Sequence, residues 1–256
     1  MIKKITLIYL IFGFFCCVTH KANSQINFSV PNITFSQACA SSGFNSFNFS
    51  FSFFPASGLQ PGNQFIVELS NSSGSFASPT VVKVLTNTTS PVSSNFSLPT
   101  NAYGEGYRIR VRSTAPVKIS SPSNAFAAYY AIHNQPFSIN GNAGTISICT
   151  GDNLTLQVDN NGTPASPAYY PSLTYIWYKD FTVIPGETGP SITVSNPGQY
   201  YAIVNYGSCM MNSYSNIVQV QVMGDLTPSI TSQGNSTIIC PSGSNTLTSS
   251  ITSTSY

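Results

Sequence analysis

Charge is scarce in this chain of 256 residues: Asp, Glu, Lys and Arg together make up 6% of it, against 41% hydrophobic and 12% aromatic residues. Ser, Thr, Asn and Gly replace them as the polar component, which suits exposed strand faces and turns and leaves few groups for proton transfer. Histidine is nearly absent too, with only His20 and His133. His133 reads as part of an interdomain linker, with no nucleophile motif nearby. The seven carboxylates are scattered, and no close pair stands out for glycoside chemistry. Asp152, Asp159 and Asp180 read as single turn or strand-end residues; calcium-loop patterns, Gly-rich phosphate loops and Cys-x-x-Cys pairs are missing. No catalytic, cofactor-binding or metal-ligating residue is therefore assigned, and no enzymatic activity is expected. Apolar patterns of helical period are also missing after the first 24 residues, which leaves strands as the expected secondary structure.

What is present begins with a leader. Lys3 and Lys4 supply a positive start, Ile5 to Val18 an apolar stretch, and Ala22-Asn-Ser24 a small-x-small cleavage site, so residues 1–24 read as a secretory signal peptide. No membrane insertion is expected after its cleavage. Lys3, Lys4 and Lys21 leave with it, so six basic residues then face seven acidic ones and the formal charge of +2 falls to −1. That balance gives no case for nucleic acid or anionic membranes as partners. Four cysteines are left after cleavage, Cys39, Cys149, Cys209 and Cys240, in a chain addressed to an oxidising compartment, where they are expected to act as staples.

Residues 25–134 read as an N-terminal β-sandwich domain. Phe47, Phe49, Phe51 and Phe53 alternate with Asn48, Ser50 and Ser52, a strict period of two that predicts a strand with one buried aromatic face. Gln64–Ser70, Val81–Leu85 and Asn95–Leu98 are further strands between turn-forming clusters. In Gly104–Ser113, Tyr107, Ile109 and Val111 point one way, and Arg108, Arg110 and Arg112 the other. Three arginines about 7 Å apart along a strand can bridge a ligand carboxylate or sulfate, or can form a solvated face that discourages aggregation. Glu68 on a neighbouring strand is expected to pair with one of them.

Residues 135–223 carry the most specific pattern. Between Cys149 and Cys209 stand the one tryptophan, Trp177, in the run Leu173-Thr-Tyr-Ile-Trp-Tyr, and the corner Asn196-Pro-Gly-Gln-Tyr200. Trp177 has the placement of the strand C tryptophan of an immunoglobulin-like sandwich and Tyr200 that of its tyrosine corner, so both are assigned to the structural core. Val158 and Ala202 fall where an antibody domain has its two cysteines, so the centre is expected to be apolar packing. Cys149 then precedes strand B and Cys209 follows strand F, and a Cys149–Cys209 disulfide is expected to clamp one end, contributing about 4 kcal/mol. The Pro-rich loop Thr163–Pro171 presents Tyr169 and Tyr170, either as ligand contacts or as a stiff strand connection. The sequence thus predicts an all-β protein of tandem Ig-like β-sandwich domains after a signal peptide.

The start of this domain is repeated. Thr145-Ile-Ser-Ile-Cys-Thr-Gly-Asp-Asn-Leu-Thr-Leu is echoed by Thr237-Ile-Ile-Cys-Pro-Ser-Gly-Ser-Asn-Thr-Leu-Thr, with Cys240 standing 91 residues after Cys149. Residues 224–256 are read as the start of a truncated further Ig-like repeat.

The motifs Ile148-Cys-Thr-Gly-Asp-Asn-Leu-Thr-Leu, Tyr175-Ile-Trp-Tyr-Lys-Asp and Pro197-Gly-Gln-Tyr-Tyr-Ala-Ile-Val-Asn-Tyr-Gly-Ser-Cys209 resemble the Ig-like repeats of large cell-surface proteins of Bacteroidota. The first domain resembles the module that often precedes them. The resemblance implies export by type IX secretion, with that secretion machinery as a partner, and for some members adhesion in gliding motility. A secreted, cell-surface structural or adhesion protein is therefore expected, contacting polysaccharide or a cell or solid surface. The alternative is a non-catalytic spacer or carbohydrate-binding module of a longer extracellular enzyme.

Overall fold

A computed structural model describes residues 25–224, 230–232 and 246–249. The expected leader, Cys240 and most of the 224–256 repeat lie outside the described residues. The chain divides into two compact units, one running to Ile132 and including Tyr206–Met211, the other made of His133–Asn205 and the residues from Asn212 onward. Both are all-β, and among the described residues no helix is long and apolar enough to cross a membrane.

The first unit holds, in chain order, β1 (Asn27–Phe28), β2 (Asn32–Ile33), β3 (Gln37–Ser41), β4 (Phe47–Phe51), β5 (Phe53–Phe54), β6 (Phe65–Leu69), β7 (Thr80–Leu85), β8 (Val92–Phe96), β9 (Tyr103–Tyr107), β10 (Ile109–Thr114), β11 (Val117–Ile119) and β12 (Phe126–Ala131). One sheet has the order β2-β4-β8; the strands β11-β10-β6-β7 and β3-β12-β9 are joined through Arg108, the one residue between β9 and β10. Alternation sets the faces. In β4 the rings of Phe47, Phe49 and Phe51 are buried while Asn48 is exposed. Phe51 meets Phe65 edge-on at 5.2 Å between ring centres, and Phe53 lies 4.9 Å from the same ring. Val67, Ile109 and Val111 close the core beneath them, each buried side chain contributing on the order of 2 kcal/mol. No strand is expected from the sequence over Phe126–Ala131, because three alanines, poor strand formers, dilute its pattern. There it is pairing on both sides, parallel to β3 and antiparallel to β9, that makes the strand.

The staple differs from the one expected. Cys209 is bonded to Cys39, with 5.5 Å between their Cα atoms, and the expected Cys149–Cys209 bond does not form. Cys149 is a free, exposed thiol at the end of its strand. The reason lies in where the chain takes Cys209: it belongs to the Tyr206–Met211 segment of the first unit, where Cys39 lies on β3. Proximity in sequence favoured Cys149, whereas a disulfide needs Cα atoms within about 7 Å. The same segment is held by Glu105, which accepts hydrogen bonds from the Tyr129 hydroxyl at 2.7 Å and from the backbone N–H and hydroxyl of Ser208, each at 3.2 Å. The Tyr129 bond is the main cause holding the Glu105 carboxyl below its ordinary value. Gly207 is needed here: φ is +54°, and a Cβ would overlap the Tyr129 hydroxyl and the Glu105 carboxylate.

The second unit holds β13 (Thr145–Cys149), β14 (Leu154–Gln157), β15 (Tyr175–Lys179), β16 (Thr182–Val183), β17 (Ser191–Val194), β18 (Gly198–Val204) and β19 (Val218–Met223), followed by a separate antiparallel pair, β20 (Ile230–Ser232) and β21 (Leu247–Ser249). A five-stranded sheet of order β13-β19-β18-β15-β16 and the two-stranded sheet β14-β17 form an Ig-like sandwich. Trp177 on β15 stands opposite Ala202 on β18, is fully buried, and donates its indole N–H to the carbonyl of Gly189 at 2.9 Å. Tyr200 is buried and its hydroxyl donates to the carbonyl of Asn196 at 3.0 Å, the hydrogen bond of a tyrosine corner. Val158 and Ala202 are both buried apolar residues.

His133 is the first residue of the second unit, at the division expected near it, and its side chain is part of that unit's packing rather than a free connection. It is buried, with Nδ1 2.6 Å from the Ser213 hydroxyl and Nε2 3.2 Å from the Ala165 carbonyl. A carbonyl can only accept, so Nε2 carries the proton and Nδ1 accepts from Ser213. Burial holds the imidazole below its ordinary value, which favours this neutral form.

Candidate functional site

The residues singled out as ligand contacts fall in two different units, the arginines in the first and the tyrosines in the second. In the first unit, Glu68 is buried on β6 and takes two arginines of β10: Arg110 Nε at 2.7 Å and Arg112 Nε at 3.1 Å. Arg110 also lies over the Phe76 ring, 4.4 Å from its centre. Arg108 donates to the Ser123 carbonyl at 2.8 Å. The arginine row is thus tied down by an internal carboxylate, an aromatic face and a carbonyl.

In the second unit, Tyr169 and Tyr170 pack edge-on at 5.2 Å beside the 3-10 turn Pro167–Tyr169, which Ser166 caps by accepting from the Ala168 N–H. Tyr169 is half-exposed; Tyr170 lines a recess of about 160 Å³ with Leu173, Tyr175 and Pro190. That volume is below the 300–1,000 Å³ or so usual for a ligand pocket, so the recess admits a small group only.

A different set of side chains converges on the outward face of the five-stranded sheet. Tyr178 on β15 and Tyr201 on β18 are cross-strand partners with parallel rings 4.7 Å apart. Ile176 and Ile203 form the next outward rung, and Phe181, 69% exposed, leans over Tyr201 at 6.0 Å. Val183, Tyr214 and Ile217 extend this apolar face, each close to half exposed.

Phe181 is placed there at a cost. Lys179 pairs with Thr182, so Asp180 and Phe181 are the two central residues of a tight hairpin turn, with φ of +48° and +64°. Such turns favour Asn-Gly or Asp-Gly, because a side chain at positive φ crowds its own backbone, costing about 1 kcal/mol. Asp180 supports the turn, accepting from the Gln199 N–H at 2.8 Å and from the Lys179 ammonium at 2.7 Å. Those two contacts, the amide first, hold its carboxyl below the ordinary range, and the same ion pair raises Lys179. Burial pushes the Tyr201 hydroxyl upward, so it is a neutral donor at physiological pH. The result is a ridge of aromatic rings and hydroxyls whose adjoining charges cancel.

Sequence reasoning missed this ridge, although a signal was there. Tyr175-Ile-Trp-Tyr178 and Tyr200-Tyr-Ala-Ile-Val204 are unbroken apolar runs rather than alternating ones, the pattern of strands apolar on both faces.

No protein-family model and no curated protein matches the sequence. Among solved structures the chain is similar to the N-terminal four Ig domains of Dscam1 isoform 6.9, at 12% identity and a TM-score of 0.33, over 77% of this chain and 47% of that one. The chain thus spans about half the length of that structure. An Ig-like fold carrying a disulfide fits an extracellular protein.

Proposed function

We propose that the chain is a non-enzymatic, secreted cell-surface protein whose sandwiches act in adhesion, and that the aromatic ridge of the second unit is its contact surface for a neutral polysaccharide. The observation that carries this reading is Phe181, a bulky side chain held at positive φ where glycine suits the backbone, and left exposed beside the Tyr178–Tyr201 pair. Strain at an exposed aromatic is retained where the ring has work to do. Tyrosine rings stack on the apolar C–H faces of sugars while their hydroxyls reach sugar oxygens. Pairing of Lys179 with Asp180 favours a ligand without charge. The Ser and Asn residues exposed on β4 and β8 give the first unit a neutral polar surface suited to an exported module. Type IX secretion and a role in gliding motility are the finer readings that the family resemblance adds.

Affinity electrophoresis of residues 25–256 in gels containing neutral polysaccharides tests the proposal. Retardation is expected for the parent protein and loss of it for Tyr201→Ser. Phe181→Gly is the sharper variant: it is expected to raise thermal stability while lowering binding. A Phe181→Gly protein that binds unchanged ends the ridge as a contact surface, and a parent protein that binds no polysaccharide favours the spacer role in a longer extracellular protein.

A further inference from the structure

An open recess of about 570 Å³ lies on the outward side of the β1–β5 pair in the first unit. Unlike the small recess beside Tyr170, it falls within the range of about 300–1,000 Å³ usual for a ligand site. Its lining follows from strand alternation. Asn27-Phe-Ser29 runs antiparallel to Ser52-Phe-Phe54, with Asn27 opposite Phe54 and Phe28 opposite Phe53. Phe28 and Phe53 turn inward onto the Phe65 ring, so Asn27, Ser29, Ser52 and Phe54 are left on the outside.

Phe54 is 77% exposed. One exposed ring is ordinary on a protein surface; the polar groups around this one are what mark a site. The backbone N–H of Ser52 donates to Ser29 Oγ at 2.8 Å, and that of Phe53 donates to Ser90 Oγ at 2.9 Å. Each hydroxyl is thereby held in place as an acceptor, and its own proton donates to no other group among the described residues. Asn27 is the cross-strand partner of Phe54, so its exposed amide starts about 5 Å from the base of the ring. Ser29 and Ser52 form the next outward rung, about 7 Å along the strand.

These groups select one ligand class. A charged ligand finds no counter-charge, because no charged side chain among the described residues lines the recess. A purely apolar ligand would strip water from Asn27, Ser29 and Ser90 without replacing those hydrogen bonds. A neutral pyranose has an apolar C–H face to lay on the ring, and an edge of hydroxyls that both donate and accept, as the amide and the serines do. We propose that this recess binds one neutral sugar residue, with its C–H face over Phe54 and its hydroxyls on Asn27, Ser29 and Ser90. The two serine hydroxyls are fixed by backbone amides and cannot swing to suit every epimer, so the site discriminates between hexoses by the direction of the hydroxyl they meet. It belongs wholly to the first unit and does not depend on the aromatic ridge of the second.

Saturation-transfer NMR on residues 25–256 tests this, with the methyl glycosides of glucose, galactose, mannose and N-acetylglucosamine as probes. Transfer to the ring C–H protons is expected, strongest for one of the probes. Phe54→Ala is expected to abolish it, and Asn27→Ala to weaken binding about fivefold, the share of one hydrogen bond. Both side chains are exposed, so the unfolding midpoints of these variants are expected to match the parent's. Tyr201→Ser is expected to leave the signal in place. Absence of transfer to every probe, equal transfer to all of them, or unchanged binding in Phe54→Ala and Asn27→Ala overturns the proposal. So does a signal lost in Tyr201→Ser and kept in Phe54→Ala, which assigns the binding to the ridge instead.

Discussion

Replacing Cys39 and Cys209 by serine together opens a loop closed across 170 residues. In the chain-entropy model, a loop of that length removes about 17 cal/mol/K from the unfolded ensemble, or about 5 kcal/mol at 25 °C. If the second unit stays folded while the first opens, its own residues add no freedom, and the effective loop of about 100 residues still gives about 4.7 kcal/mol. Either figure is a large part of the 5–15 kcal/mol or so that stabilises a typical domain. The hydrogen bonds of Glu105 to Ser208 survive in the variant and hold part of the segment in place, so a loss of about 4 kcal/mol is expected in the first unit. Guanidinium denaturation can assign it. The one tryptophan, Trp177, lies in the second unit, so its fluorescence follows that unit alone, while far-ultraviolet circular dichroism follows both. The variant is expected to bring the dichroism transition to lower denaturant and to leave the fluorescence transition nearly in place. A loss below about 1 kcal/mol, or one that falls in the tryptophan transition, refutes the reasoning.

Three further outcomes are expected. Trp177→Phe strands the Gly189 carbonyl and leaves a small gap, costing about 1–3 kcal/mol, whereas Trp177→Ala costs about 3–5; both are read from the urea midpoint of the second unit. Glu68→Gln keeps the shape but removes the charge that Arg110 and Arg112 share; because both arginines are partly exposed, about 2 kcal/mol is expected from the dichroism transition, and no change would mean the pair acts like an ordinary surface ion pair. His133 gives the second unit a pH dependence. Its folded value lies below its ordinary 6.5, so between 6.5 and that lower value the unfolded chain binds a proton that the folded chain does not. Stability of the second unit therefore falls as pH drops through that window and is unaffected by this group above it; a tryptophan-detected unfolding midpoint with the same pH dependence in His133→Gln would contradict the assignment.

Much of the fold was written in local patterns. Phe47, Phe49 and Phe51 announced a buried face because a strand alternates by geometry, and Trp177 and Tyr200 carried their positions in the motifs around them. Other features needed the assembled sheets. Phe126–Ala131 has no strand signal of its own and becomes one through neighbours on both sides. His133 looked like a linker because nothing near it in sequence names Ser213 or Ala165 as partners.

By itself, then, the sequence determined the strand class, the alternation of faces and the residues of each core, because period and turn chemistry act over a few residues. Tertiary structure alone decided which cysteine met Cys39, which arginines met Glu68, and that Tyr178, Tyr201 and Phe181 form one ridge. Those outcomes depend on register and on where a distant stretch of chain returns, and neither is encoded within any single strand.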